Sequence, residues 1–137
     1  FTNGCFDIIH AGHVRYLNKA KSLGDVLVVG LNSDSSIRGI KGPSRPIVPQ
    51  NERAEVLSAL KPVDYVVVFN EPTPLKLIEA VRPDVLAKGA DWAARDIVGG
   101  AIVKKNGGKI RRLTLAKGRS TTNIIRRVLE LHEGKGS

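Results

Sequence analysis

The stretch His10-Ala11-Gly12-His13 places two of the chain's three histidines on either side of an Ala-Gly pair. Imidazole is the side chain that accepts or donates protons near neutral pH. Glycine lets a ligand come close to the backbone, and a helix that starts there offers unpaired N–H groups and the positive end of its dipole. The combination reads as an anion site, and a phosphate fits it. Two imidazoles beside a phosphate can donate to oxygens that become more negative during displacement, which is electrostatic catalysis rather than nucleophilic attack. The plainer alternative makes one of them a helix cap or a satisfied core residue. Zinc does not suit the pair, because His132 is the remaining histidine and Cys5 the single cysteine.

A second stretch, Lys117-Gly118-Arg119-Ser120-Thr121-Thr122, repeats the device. The Ser120 and Thr121 hydroxyls and the N–H groups of a helix start would hold a second phosphate, with Arg119 adding a delocalised charge. A simple N-cap at Ser120 is the alternative. Two further polar, Gly-containing stretches are Asn32-Ser33-Asp34, leading into a Gly-rich basic loop with Lys41-Gly42, and Lys88-Gly89-Ala90-Asp91-Trp92.

These stretches can meet only if the elements around them bring them to one edge. Short apolar runs alternate with helical patterns, which argues for an α/β fold with a parallel sheet. Strands are expected near residues 1–4, at Asp25–Leu31, Asp64–Phe69, Val85–Lys88 and Lys109–Leu115. The Val-rich runs of the second and third lack polar alternation, as strands buried on both faces do. Helices are expected over Gly12–Leu23, Asn51–Leu60 and Thr73–Val81, the last with Thr73 as N-cap and Pro74 in its first turn. Asp96 is expected to cap a helix running to Asn106, and Ser120 one running to about Leu131. The fold class that results is Rossmann-like: an open, parallel, five-stranded sheet with helices on both faces. Ligands of such sheets bind outside the carboxyl ends of the strands. All four polar stretches follow a strand.

At 137 residues the chain suits a single domain, 1–137. It contains no methionine and opens on Phe1-Thr2-Asn3, which reads as the tail of a strand with a few residues missing upstream. Nothing resembles a signal peptide or a membrane span, so the expected setting is cytoplasmic and reducing. The net charge of +9 is uneven: nine Lys or Arg and no acid lie between Ile97 and Leu129, while thirteen of each sign make up the rest. Such a block suits a phosphate-bearing partner or a solvated basic face. A nucleic-acid binder is the weaker version, since aromatic content of 4% leaves few stacking platforms.

The residues also match a family. "HAGH" after the first strand and "RSTT" at the last helix resemble the HxGH nucleotidyltransferases. "FTNGCFDIIHAGHVRYL", "VGLNSD", "KGPSRP", "RAEVLSAL", "VDYVVVF", "KGADW" and "GRSTT", in that order, are similar to the adenylyltransferase domain of bacterial ADP-heptose synthases. The resemblance covers essentially the whole chain. It implies transfer of AMP from ATP, with Mg²⁺, to a heptose 1-phosphate for lipopolysaccharide or surface glycan assembly. It further implies a homo-oligomer, fused or partnered with a sugar kinase, with no membrane or specific nucleic-acid partner.

Mapped by the resemblance, His10 and His13 stabilise the α-phosphate, Lys41 neutralises phosphates opposite them, and Arg119, Ser120 and Thr121 hold the leaving pyrophosphate. Cys5, Phe6, Gly12, Lys88, Gly89 and Asp91 line the nucleotide. Asn32, Asp34 and Lys41 offer the cation and short polar groups that a sugar phosphate needs. Departures from the family pattern are Ala90, where a second glycine is expected, and Lys117, where an acid is common. The rival within the family is a CTP-dependent cytidylyltransferase for glycerol phosphate, which usually carries Ile where this chain has Arg119.

Overall fold

The computed structural model describes residues 1–115 and 120–134. Strand β1 (Thr2–Gly4) pairs in parallel with β2 (Val28–Asn32), and β2 with β3 (Tyr65–Phe69). Strand β4 (Val85–Gly89) pairs in parallel with β5 (Lys109–Leu113). The expected single five-stranded sheet is therefore corrected to a three-stranded sheet, β1-β2-β3, and a two-stranded one, β4-β5. The two abut where the Phe1 nitrogen donates to Val85 O at 2.8 Å and Ala87 N to Phe1 O at 2.9 Å. No longer ladder forms there because β1 is three residues long and the chain then turns sharply, with left-handed φ at Phe6 and Ile8.

Side chains alternate across β2 and build a core on each face. Val29 and Leu31 join Leu17 of helix α1 (Ala11–Lys21) and Leu57 of α3 (Gln50–Ser58). Val28 packs toward the other cluster, which holds Ile78 of α4 (Leu75–Val81) and Val103 of α5 (Gly100–Lys105). Helices thus cover both faces, as expected. Strand β3 departs from expectation. Its Val-rich run is not buried on both faces, for Tyr65 is 63% exposed and Val67 and Val68 are also exposed. The run reads like that of β2, but β3 lies at the outer edge of its sheet.

Helix α2 (Asp34–Lys41) occupies what was read as a loop. Ser33 caps it by accepting from Ser36 N at 3.1 Å, and Gly42, at φ 97°, ends it. Thr73 does not cap α4; Pro74 stands at the N-cap without a side-chain bond. Asp96 likewise caps nothing. It closes a 3-10 turn, Ala94–Asp96, and α5 starts instead after Gly99 at φ 84°. A side chain at Gly99 would meet Ile78 Cδ1 at 2.7 Å, so the position needs glycine on both counts. Helix α6 (Thr121–Glu133) is capped by Ser120 as expected, through a 3.0 Å bond from Asn123 N. Among the described residues no helix is long and apolar enough to cross a membrane.

Candidate active site

The ends of β1 and β4 and the starts of α1 and α6 meet around a cleft of about 330 Å³. At its floor, His10 Nδ1 accepts from Gly12 N at 3.1 Å, and His10 N donates to His13 Nδ1, also at 3.1 Å. The two histidines form a capping box at the head of α1. A ring nitrogen that accepts carries no hydrogen, so each neutral imidazole is held with its proton on Nε2. The rings lie 3.9 Å apart between centroids. Burial, then the charges of His10 and Lys41, push the His13 pKa down to about 4. At neutral pH His13 is an uncharged N–H donor. The cap and the catalytic reading, posed as alternatives from sequence, use different nitrogens of the same rings.

The turn between β1 and α1 is strained, with φ of 47° at Phe6 and 55° at Ile8. Such values are costly for bulky residues and persist only where the surroundings enforce them. Asp7, between them, supplies the enforcement. Its buried carboxylate accepts from Ile47 N at 2.8 Å, Val48 N at 2.9 Å and Arg45 Nε at 3.3 Å. Its carbonyl accepts from Thr121 Oγ1. One residue thereby ties the histidine turn to the proline-rich loop after α2 and to the head of α6, and the loop brings Arg45 to the cleft.

Arg53, 1% exposed, is a second tie. Its Nε donates to Val48 O at 2.8 Å, its Nη1 to Cys5 O at 2.7 Å and Asn32 O at 2.8 Å, and its Nη2 to Asp34 Oδ1 at 2.8 Å. Planar guanidinium geometry suits this fan of acceptors.

On the opposite wall Lys88 lies with Nζ 5.7 Å from the Trp92 ring centroid. Burial holds its ammonium below the usual lysine pKa, against the pull of Asp91 and Cys5. Tyr16, whose hydroxyl is 2.8 Å from Thr2 Oγ1, closes the cleft on the α1 side.

The cleft brings together Cys5, Phe6, His10, Gly12 and His13 with Lys41 at the end of α2. Lys88, Gly89 and Asp91 join from β4, and Ser120 and Thr121 from α6. Asn32 lies on an adjoining cavity instead. Asp34 lines neither cavity, because its carboxylate is taken by Arg53 and its amide by Gln50 Oε1 at 2.9 Å. Arg119 and Lys117 lie outside the described residues. Sequence reasoning missed Tyr16, Arg45 and Trp92 on the cleft wall and Asp7 and Arg53 behind it. For Arg45 and Trp92 the signal was present, since each stands inside a polar stretch already singled out.

Residues 1–127 match the model of the cytidylyltransferase-like family. The chain is similar to the bifunctional protein HldE of Syntrophotalea carbinolica, 57% identical over 97% of this chain and 27% of the relative. It is 55% identical to the bifunctional protein HldE of Geobacter sulfurreducens over 96% of this chain and 27% of that one. The chain thus spans about a quarter of the length of these relatives. Among solved structures it resembles a lipopolysaccharide core biosynthesis protein from Thermoplasma volcanium, with a TM-score of 0.66, 31% identity, and coverage of 86% of this chain and 95% of that one. With the capping histidines, the α6 head and the parallel strands now in place, the match over residues 1–127 makes this chain a member of the cytidylyltransferase-like family.

Proposed function

We propose that this chain transfers AMP from ATP to a heptose 1-phosphate, forming ADP-heptose and pyrophosphate. The observation that carries this reading is the imidazole capping box, which holds two Nε2–H groups side by side at a helix head in a cleft of about 330 Å³, room for a nucleotide. An oxygen of the acceptor phosphate forms a bond to the α-phosphorus while the bond from that phosphorus to the bridging oxygen breaks. The bridging oxygen leaves with the electron pair as part of pyrophosphate. The attacking oxygen is already anionic, so no base is required. Negative charge that builds on the α-phosphate is met by His10 and His13, with Lys41 opposite. The head of α6, with Ser120 and Thr121, takes the leaving pyrophosphate, a task that Arg119 shares by its place in the motif. Lys88, Gly89 and Asp91 flank the nucleoside end.

Mg²⁺ enters with ATP as part of the substrate. Among the described residues no group of three or more His, Cys, Asp or Glu is placed to hold an ion. The choice of heptose is supported by the likeness to HldE and to the lipopolysaccharide core biosynthesis protein. The word bifunctional in the relatives' name, and the quarter of their length that this chain spans, are in keeping with the sugar kinase, fused or partnered, that the resemblance implies, and the proposed setting is the cytoplasm. The test offers purified protein and Mg²⁺ each pairing of ATP or CTP with heptose 1-phosphate or glycerol 3-phosphate, read by pyrophosphate release. Turnover with CTP and glycerol 3-phosphate, and none with ATP and the heptose, would replace the substrates and keep the displacement chemistry.

A further inference from the structure

A second cavity, of about 410 Å³, opens beside the histidine cleft. The two share a wall that includes Cys5, Lys41, Lys88 and Trp92. Beyond that wall the lining changes character. Ile40 comes from α2, Pro72 and Pro74 from the segment before α4, and Ile97 and Val98 from the segment before α5, with Asn32, Thr73 and Asp96 as polar points among them that can meet sugar hydroxyls. Among the described residues the cations of this cavity, Lys41 and Lys88, both stand on the shared wall, so its phosphate-attracting part is separated in space from its mainly apolar part. A nucleotide whose phosphates sit at the heads of α1 and α6 fills the histidine cleft. An in-line attack on its α-phosphorus must then come from the side away from the pyrophosphate, and the shared wall is where a second reactant can meet it.

Resting on the adenylyl-transfer reading above, we infer that the second cavity holds the carbon skeleton of the acceptor. The acceptor class is a phosphorylated ring sugar, its C–H face against the apolar lining and its phosphate between Lys41 and Lys88. A sugar ring presents polar edges and an apolar face, and such a face packs on aromatic and aliphatic surface. Trp92 supplies the aromatic surface at the boundary, next to the Lys88 ammonium. A phosphate attached directly to a ring would engage both together. Glycerol phosphate has no ring face and would leave the apolar lining wet. This assigns Lys88 to the acceptor phosphate as well as to the nucleotide side.

Ile40, 52% exposed, and Val98 line the second cavity and not the first, so bulk added there narrows it without entering the histidine cleft. Wild-type protein is offered MgATP with heptose 1-phosphate, hexose 1-phosphates and glycerol 3-phosphate. Ile40→Phe, Val98→Phe and the double variant are then assayed with the acceptor that the wild type prefers. The double variant is expected to raise the acceptor KM at least tenfold while MgATP affinity, measured by equilibrium dialysis without acceptor, stays within twofold. An unchanged acceptor KM, or a loss of MgATP affinity in its place, overturns the cavity assignment even if heptose 1-phosphate proves to be the substrate. Preference for glycerol 3-phosphate overturns both the ring-sugar class and the heptose assignment. Preference for a hexose 1-phosphate overturns only the heptose. Trp92 is the single tryptophan, so its fluorescence reads occupancy without turnover. Sugar 1-phosphate alone should change it saturably, and the double variant should need at least tenfold more ligand. If no nucleotide and acceptor pair releases pyrophosphate, the transfer reading fails, and this titration still decides the cavity: no saturable change in wild type overturns it.

Discussion

The amide of His10 donates to Nδ1 of His13 at 3.1 Å, so the ring proposed to face the α-phosphate also closes the helix turn beneath it. Removal of either ring should therefore show in two measurements. His10→Ala and His13→Ala should each lose about 1 kcal/mol of stability, the usual cost of a missing N-cap. They should also lose about two to four orders of magnitude in turnover, the range for a lost donor to a developing charge. Urea unfolding and pyrophosphate release separate the two losses. His10→Asn, whose side-chain oxygen can still accept from Gly12 N, should recover stability without recovering turnover. Recovery of both would reduce that histidine to a cap.

The His13 pKa of about 4 sets a pH dependence whose sign follows from the unfolded chain, where the ring has an ordinary value near 6.5. Between these values the unfolded state binds a proton that the folded state refuses, so stability rises with pH through the window from about 4 to about 6.5. The contribution is complete above the upper limit and falls away as pH drops toward the lower one. His13→Gln should remove this part of the pH dependence, measured as the difference in unfolding free energy from wild type at pH 5 and pH 8. By NMR, the His13 ring should not titrate between pH 8 and pH 5.5. A midpoint near 6.5 would contradict the buried, neutral donor.

The histidine pair was legible because its information is local: the spacing, the glycine and the helix start all lie within His10–His13. The head of α6 was legible for the same reason. Helix α2 was not, because Gly39 and the serines Ser33, Ser35 and Ser36 resemble loop composition, while the cap that starts the helix is one bond from Ser33 to Ser36 N. The edge position of β3 depends on strand order, which a Val-rich run does not encode. Asp34 was expected to face substrate as part of a polar run. What turned it away was Arg53, nineteen residues on, whose burial follows from four acceptors gathered out of three separate segments. Propensity and periodicity are silent about such gathering.

Asp7 tests whether the strained turn is held from outside. Asp7→Ala leaves the amides of Ile47 and Val48 without their acceptor. A fully buried donor left unpaired costs about 1–3 kcal/mol, and because Ile47 is exposed and Val48 half-buried the loss should lie at or below the lower end of that range for each. The loop spanning 43–49 should loosen and Arg45 should leave the cleft. Limited proteolysis should cut that loop faster, and the KM for MgATP should rise several-fold. Asp7→Asn should fall between, since its amide keeps one accepting oxygen where the carboxylate had two. A protease pattern like wild type in Asp7→Ala would show that the loop is held by other contacts.

Arg53 is the sharper case, because its loss should reach both cavities at once. Its Nη1 is bonded to the carbonyls of Cys5 and Asn32, residues that line the cleft and the second cavity respectively. Arg53→Met would leave those carbonyls unpaired and the Asp34 carboxylate without its cation. Removal of one partner of a fully buried pair costs about 3–5 kcal/mol, and because the Asp34 side chain is 29% exposed the loss should lie at or below the lower end of that range. Arg53→Lys keeps the charge but presents its donors from a single nitrogen, which cannot span four acceptors on three segments, and should recover less than half of the loss. Turnover should fall in both variants beyond what unfolding explains, with the KM for MgATP and for the acceptor raised together. That paired rise separates a clamp on two cavity walls from a merely stabilising core residue. Urea midpoints and steady-state kinetics on the folded fraction make the comparison, and full recovery of stability by lysine would show that charge alone, rather than the fan of directed bonds, holds these segments.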